Sequence, residues 1–254
     1  MNYRNRVKRG LLLVGIYLFG GQALLAQGNY ADLWSTLQVH YPASSKVRLS
    51  NEFHWRMTEF VGEPLQLLIR PKVEWKAADH FTVTGGYTHI QNWPYRSGQP
   101  DLVALEHNVW EDVAFYHPLW KGRLTHAIRL EHRFTNVLFS NSLGLPERDG
   151  FSFRNRLRHR ITYVEDLSDK VYMRFFNEAF IQMPTGKVNP VAQFQQNWVY
   201  AGFGWRGIKD FALEAGFHHQ YIVRDDERER HQKDCQPCRG ELPKPFPHAA
   251  KHPG

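Results

Sequence analysis

Apolar and polar residues alternate one by one along most of this chain, from about residue 30 to residue 224. Runs of about 10 to 15 residues with this period of two are separated by Gly, Pro, Asn, Asp and Ser, which favour turns. Successive side chains of a strand point to opposite faces, so the pattern predicts strands with one apolar and one polar face. We predict ten strands, at residues 30–40, 45–57, 65–76, 80–91, 104–116, 123–134, 151–164, 171–181, 194–206 and 211–223.

The predicted strands are longer than those of most water-soluble proteins. Strands of soluble proteins average about 5–6 residues, whereas a tilted strand that crosses a membrane needs about 9–11. Tight turns at residues 165–169 and 207–210 contrast with longer loops at residues 91–103, 135–150 and 184–193. This combination is typical of one all-β fold, the antiparallel up-and-down transmembrane β-barrel. We expect about ten to twelve strands in it.

The polar faces of the predicted strands are rich in arginine. Four arginines alternate along one face of strand 151–164, where they would repel one another on a water-facing sheet. Inside a narrow barrel they would face carboxylates of other strands, including Glu106 and Asp112, and planar guanidinium groups bind carboxylates with two hydrogen bonds. We predict a charge ladder in the lumen that consists of Arg48, Glu52, Arg56, Arg70, Glu74, Arg129, Glu131, Arg133, Arg154, Arg156, Arg158, Arg160, Arg174, Glu178 and Glu214.

Two other environments for this ladder stay open from the sequence. The same residues could line an anion-attracting pore or pocket, or the strands could face solvent. Strand 194–206 does not show which of its faces is polar, and Asn51, Asn155 and His159 fall on otherwise apolar faces.

Aromatic residues cluster near the ends of the predicted strands. Rings at both ends of a lipid-facing band form girdles at the two membrane interfaces, although the core of a β-sandwich would also accept them. The candidate girdle residues are Trp34, Tyr41, Trp55, Trp75, Tyr87, Trp93, Trp110, Trp120, Tyr163, Trp198, Trp205 and Tyr221.

The amino terminus has the features of a secretory signal peptide. Four basic residues precede an apolar run at residues 11–25, and Ala26 is small enough to stand before a cleavage point. The run is shorter than the roughly 20 residues of a membrane-spanning helix, and no longer apolar run follows, which excludes a helical membrane bundle. We therefore expect a signal peptide at residues 1–26, export from the cytoplasm and a barrel domain at residues 27–224.

Several short motifs follow one another in a recognisable order. They are Glu-His-Arg-Phe at 131–134, Arg-Asn-Arg-Leu-Arg-His-Arg at 154–160, Phe-Asn-Glu-Ala-Phe at 176–180, Gln-Gln-Asn-Trp-Val-Tyr-Ala-Gly-Phe-Gly at 195–204, and Leu-Glu-Ala-Gly-Phe-His-His-Gln at 213–220. This series resembles the domain of unknown function 2490 family, secreted bacterial proteins thought to be outer-membrane β-barrels. The resemblance implies a barrel in the bacterial outer membrane, and it brings no catalytic residue with it.

The chain departs from that family after the last motif and at Trp198, where the family usually has arginine. Residues 225–254 hold five prolines and many charges, a composition that predicts disorder. Cys235 and Cys238 precede two histidines, but the gap is too short for a classical zinc finger; a local disulfide and free thiols are the alternatives. One hypothesis is that this tail replaces lost terminal strands.

Motifs of enzymes are weak in this sequence. Ser140, Ser142, His126 and His132 could form a site that hydrolyses lipid, but their spacing does not require it. The arginine face lacks stacking rings and the chain is exported, so we expect no nucleic-acid partner. We also expect no catalytic residue, cofactor or metal.

The sequence therefore predicts an outer-membrane β-barrel with a charge-filled lumen, which has a structural role or passes small solutes. Its expected partners are outer-membrane lipid, the barrel-assembly machinery and at most a small solute in the lumen. A lipid-modifying outer-membrane enzyme and a soluble periplasmic ligand-binding barrel are the alternatives.

Overall fold

The computed structural model describes residues 32–58, 62–94, 100–185 and 191–223. The predicted signal peptide and the carboxy-terminal tail lie outside these residues. Ten β-strands form one antiparallel sheet in which each strand pairs with the next along the chain, so the all-β, up-and-down prediction is confirmed. The strands are β1 (Leu33–Pro42), β2 (Val47–Met57), β3 (Pro64–Ala78), β4 (Phe81–Asn92), β5 (Ala104–Leu119), β6 (Gly122–Ser140), β7 (Pro146–Asp166), β8 (Val171–Gln182), β9 (Gln193–Ile208) and β10 (Phe211–Ile222).

The connections differ in length between the two ends of the sheet. At one end, here the short-turn end, the strands are joined by residues 43–46, 79–80, 120–121, 167–170 and 209–210. Two of these turns contain a non-glycine residue with a positive φ angle, Trp120 at 53° and Asp210 at 60°. At the other end, the long-loop end, the connections are residues 58–63, 93–103, 141–145 and 183–192.

The predicted loop at residues 135–150 is wrong, because most of it is strand. β6 continues to Ser140 and β7 begins at Pro146, so only residues 141–145 form the turn. The Oδ1 atom of Asn141 accepts hydrogen bonds from two backbone N–H groups of that turn, each at 2.9 Å. Asn, Ser, Gly and Asp favour turns locally, but here strand pairing satisfies the backbone hydrogen bonds and overrides that preference.

The two faces of the sheet have opposite chemistry. The outer face exposes large apolar side chains, among them Leu37 at 61% and Phe217 at 72%. The inner face buries charged ones, including Glu131 at 1% exposed and Arg158 at 4%. All ten strands belong to one sheet, so within the described residues no second sheet covers the apolar face as a sandwich would require.

The sheet curls so strongly that its first and last strands come into side-chain contact. The ring of Trp34 in β1 lies 4.5 Å from the ring of His218 in β10 and 5.5 Å from that of Trp198 in β9, between centroids. Neighbouring strands are about 4.8 Å apart, so β1 and β10 would be about 43 Å apart in a flat sheet of ten strands. The polar face is therefore the concave one.

No helix in the described part of the chain is long and apolar enough to cross a membrane.

Candidate functional site

Three arginines of β7, Arg156, Arg158 and Arg160, form a continuous ion-pair network with carboxylates of the two neighbouring strands. Glu131 accepts hydrogen bonds from Arg156 Nε at 2.7 Å and from Arg158 Nη1 at 2.6 Å. Arg158 also donates to Glu178, 2.9 Å from Nε to Oε1, and Glu178 accepts a second bond from Arg160 Nη2 at 2.6 Å. Each buried carboxylate is therefore shared by two guanidinium groups, across β6, β7 and β8.

Two further pairs have the bidentate geometry that favours arginine over lysine. Arg133 donates to both oxygens of Glu106, at 2.6 and 2.7 Å. Arg48 contacts Glu74 in the same way, at 2.6 and 3.0 Å.

On β2 and β3, three donors converge on a single carboxylate. Glu52 accepts from Lys72 Nζ at 2.8 Å and from Arg70 Nη1 at 3.1 Å, and it lies 3.0 Å from His54 Nε2. The curl of the sheet brings these strands toward β7, so the charged residues of distant strands share one interior.

Three arginines of the predicted ladder have different surroundings. The guanidinium group of Arg56 lies 3.6 Å from the ring centroid of Trp34 and contacts no carboxylate among the described residues. Arg154 is exposed and makes no ion pair within the described part of the chain. Arg174 lies 3.4 Å from Glu214.

The middle of the interior is filled with side chains. The largest side chains that are fully buried all lie on the inner face, and they are Trp110, Phe180, Gln182, Glu131, Asn108 and Thr88. The indole N–H of Trp110 donates to Thr88 at 3.0 Å, and Arg129 lies 3.9 Å from the indole centroid. A Cβ atom at Gly86, which pairs with Trp110, would lie only 2.3 Å from the indole, so glycine is required there.

A cavity of about 190 Å³ lies beside this packed layer, toward the short-turn end. Its walls come from β5, β6, β7 and β8, and they consist of Asp112, Ala127, Arg129, Arg158, Arg160, Thr162 and Glu178. Arg129 Nε contacts Asp112 at 3.2 Å.

Comparison with protein families agrees with the resemblance in the sequence. The family described as protein of unknown function (DUF2490) matches residues 31–231, which include all ten strands. The chain belongs to the DUF2490 family. No curated protein matches this DUF2490 chain.

The structure corrects the predicted aromatic girdle at three positions of this DUF2490 protein. Trp34, Trp110 and Trp198 lie on the inner face, where they contact arginines rather than the surroundings of the sheet. Trp198 stands where the family usually has arginine, and its ring packs 4.5 Å from that of Phe180. By contrast, Trp75 and Trp205, which lie in strands near the short-turn end, are on the outer face and are exposed. Alternation alone does not show which face of β9 is the inner one. The contacts of Trp198 with Trp34, Phe180 and Arg158 show it.

The glycine pair Gly202 and Gly204 marks a close approach of side chains. A Cβ atom at Gly204 would lie 1.9 Å from the ring of Tyr172, and one at Gly202 would lie 2.3 Å from the hydroxyl of Tyr200. Both tyrosine hydroxyls donate to Glu214, at 2.8 and 2.9 Å.

The residues considered for lipid hydrolysis are not brought together. His132 lies on the outer face with Nδ1 2.8 Å from Asn155 and Nε2 3.3 Å from Glu111, so both ring nitrogens have partners. Ser140 is eight residues further along the same strand, roughly 26 Å away at about 3.3 Å per residue. His126 stacks against His159 at 6.0 Å. These positions do not form a nucleophile and base pair.

Metal ligands are not clustered in the described part of the chain. No group of three or more His, Cys, Asp or Glu there is placed to hold a metal ion. The Cys235 and Cys238 pair lies outside the described residues.

Proposed function

We propose that this DUF2490 protein is an outer-membrane β-barrel whose interior is a packed, ion-paired core, and that its role in the bacterial envelope is structural rather than that of an open pore. The observation that carries the proposal is the distribution of polar and apolar side chains, which is the reverse of that in a water-soluble protein. Charged side chains are buried inside the curl, while large apolar side chains are exposed outside it.

A membrane gives this reversed distribution a physical reason. In water, an apolar face of this extent favours association or aggregation, whereas in lipid it is the favourable surface. Strands cross a bilayer only when a closed barrel satisfies every backbone group. The contact between Trp34 and His218 supports closure of β1 against β10, and the strand lengths of 10 to 21 residues are sufficient for a tilted crossing.

The packing of the interior favours the structural role over a pore. Trp110 and Phe180 are each 1% exposed, and the buried carboxylates of Glu131 and Glu178 are held by two arginines each. A passing solute would have to break these ion pairs, and breaking a buried pair leaves an uncompensated charge in a region of low dielectric constant.

Export and lipid contact complete the proposal. The signal-peptide pattern of residues 1–26 supports delivery to the envelope, where the barrel-assembly machinery and outer-membrane lipid would be the partners. The lipid-modifying alternative loses its main support, because His132 and Ser140 lie far apart. The soluble periplasmic alternative predicts a different fractionation and is separated by the experiment below.

The experiment is fractionation of the full chain expressed in a Gram-negative bacterium, followed by gel migration with and without boiling. We expect recovery in the outer membrane and a shift of the band on boiling. Val113→Asp, on the outer face, should reduce insertion, while Arg154→Asp at an exposed inner position should reduce it less. Recovery of the wild type in the soluble periplasm would refute membrane insertion, and a steady conductance in planar bilayers would refute the closed interior.

A further inference from the structure

The interior of the curled sheet carries more positive than negative charge. Without the exposed Arg154, and together with Lys72, Glu106 and Asp112, the ladder residues comprise ten cationic groups and seven carboxylates, an excess of three positive charges. Water and dissolved ions solvate and screen such an excess at a surface, but they do so poorly in a packed interior, where unpaired charges are strongly disfavoured. The interior therefore favours a bound anion over a bound cation.

Two of the unsatisfied hydrogen-bond donors on the inner face lie beside one cavity. Arg129 Nη1 and Arg160 Nε are buried and have no hydrogen-bond partner among the described residues. Both arginines form walls of the cavity of about 190 Å³, which Thr162 also borders with its hydroxyl-bearing side chain. Buried polar groups almost always have a partner, so two unsatisfied guanidinium nitrogens beside one cavity call for a ligand that accepts hydrogen bonds.

The two carboxylates at the cavity do not remove this preference. Glu178 already accepts bonds from Arg158 and Arg160, and Asp112 accepts from Arg129. Their charges are offset by these three arginines, which leaves one positive charge in excess among the five groups. The third carboxylate of the network, Glu131, is shared between Arg158 and a further arginine, so it offsets no additional charge at the cavity.

The size and position of the cavity limit the ligand. At about 30 Å³ for each water of the liquid, the space of about 190 Å³ corresponds to roughly six water molecules, enough for an anion of a few heavy atoms. Trp110 and Glu131, each 1% exposed, lie two residue pairs nearer to the long-loop end than Asp112 and Arg129. They close the cavity on that side, so a ligand would enter from the short-turn end.

We propose that this cavity binds a small oxyanion of the phosphate class, held between Arg129 and Arg160. The planar forks of arginine match the spacing of oxyanion oxygens and allow two parallel hydrogen bonds, which a halide cannot form. The site depends on the packed interior and not on the cellular location, so it can fail or succeed independently of membrane insertion.

The test is a titration of the folded, detergent-solubilised protein with inorganic phosphate, followed by calorimetry and by thermal unfolding. Chloride at equal ionic strength is the control, because it screens charge without offering paired oxygens. We expect saturable binding of phosphate, together with a rise in the unfolding temperature that chloride does not reproduce.

Two variants locate the site. Ala127→Leu fills the cavity and keeps every charge, so it should weaken phosphate binding at least about tenfold, which corresponds to about 1.4 kcal/mol. Arg160→Gln should weaken binding to a similar degree, whereas Arg154→Gln, at an exposed position without an ion pair, should leave it unchanged. If Arg160→Gln does not fold, Ala127→Leu and the comparison of ions still decide the matter.

A competition experiment distinguishes the source of the phosphate group. Displacement of inorganic phosphate by short-chain phosphatidylglycerol would identify a lipid headgroup as a ligand, and absence of displacement would identify the free anion. Equal effects of phosphate and chloride, or an unchanged affinity in Ala127→Leu, would mean an adventitious ion only and would overturn the proposal.

Discussion

Replacing Gly86 by alanine tests the packed interior with a single added methyl group. The Cβ atom would lie 2.3 Å from the indole ring of Trp110, far inside the ordinary contact distance of about 3.5–4.0 Å. Trp110 cannot move away freely, since it is 1% exposed, donates a hydrogen bond to Thr88 and lies against the guanidinium group of Arg129. Accommodation therefore requires the ring or the strand to shift by more than 1 Å.

The magnitude follows from these contacts. Overpacking a dense core costs about 1–3 kcal/mol, and loss of the hydrogen bond to Thr88 adds about 1 kcal/mol. We expect Gly86→Ala to lower the free energy of unfolding by about 2–4 kcal/mol. The neighbouring Gly85 is a matched control, because its Cβ would meet nothing within 4 Å. Gly85→Ala should be neutral or should stabilise the protein by up to about 1 kcal/mol, since alanine restricts the unfolded chain.

The assay is urea unfolding of both variants in the same detergent or vesicles, followed by tryptophan fluorescence and by migration of unboiled samples on gels. A comparable dependence on urea concentration in all three proteins would show that the variants unfold from a similarly compact state. Equal stabilities of the two variants would refute the assignment of Gly86 to a filled inner face, and so would a greater loss in Gly85→Ala.

Three further changes test other contacts. Arg158→Leu leaves two buried carboxylates each short of a partner and should cost about 3–5 kcal/mol in urea unfolding; Arg154→Leu should stay within about 0.5 kcal/mol, and equal losses in these two variants would contradict the ion-pair network. Trp34→Ala removes the ring of β1 that contacts β10 and should lower the free energy of unfolding by about 3 kcal/mol, with a weaker heat-dependent gel shift. An undiminished shift would argue against closure between β1 and β10. Gly204→Ala forces a methyl group against the ring of Tyr172 and should lower the free energy of unfolding by about 1–3 kcal/mol, seen as a lower midpoint of thermal unfolding; an unchanged midpoint would contradict this contact.

The alternation of residues was sufficient to find the strands, because it depends only on which face of the strand each side chain occupies. Every predicted strand overlaps an observed one, and both predicted tight turns coincide with turns of the short-turn end. The arginines of β7 share one face for the same local reason. The alternation predicts both strands of the β6–β7 hairpin but not their extension toward the turn, because residues 135–150 are rich in turn-forming types. Cross-strand pairing nevertheless holds residues 135–140 in the sheet.

The partner of each charge could not be predicted from alternation. Arg158 bridges Glu131 and Glu178 only because the register of β6, β7 and β8 places all three side chains on neighbouring rows. The sequence does not show which face of the sheet Trp198 occupies, because both the odd and the even positions of its strand include polar and aromatic residues. Its inward position follows from contact with Trp34, a residue that is far away in the sequence.

The sequence by itself determined that this protein consists of long antiparallel strands with one apolar and one charged face. These properties are local, since each depends on residues two positions apart. Only the tertiary structure decided that the sheet curls until β1 meets β10, that Trp110 and Glu131 close the interior, and that a cavity remains beside Arg129 and Arg160. Those properties depend on strand register and curvature, which accumulate over the whole sheet and are set by the packing of side chains from distant strands.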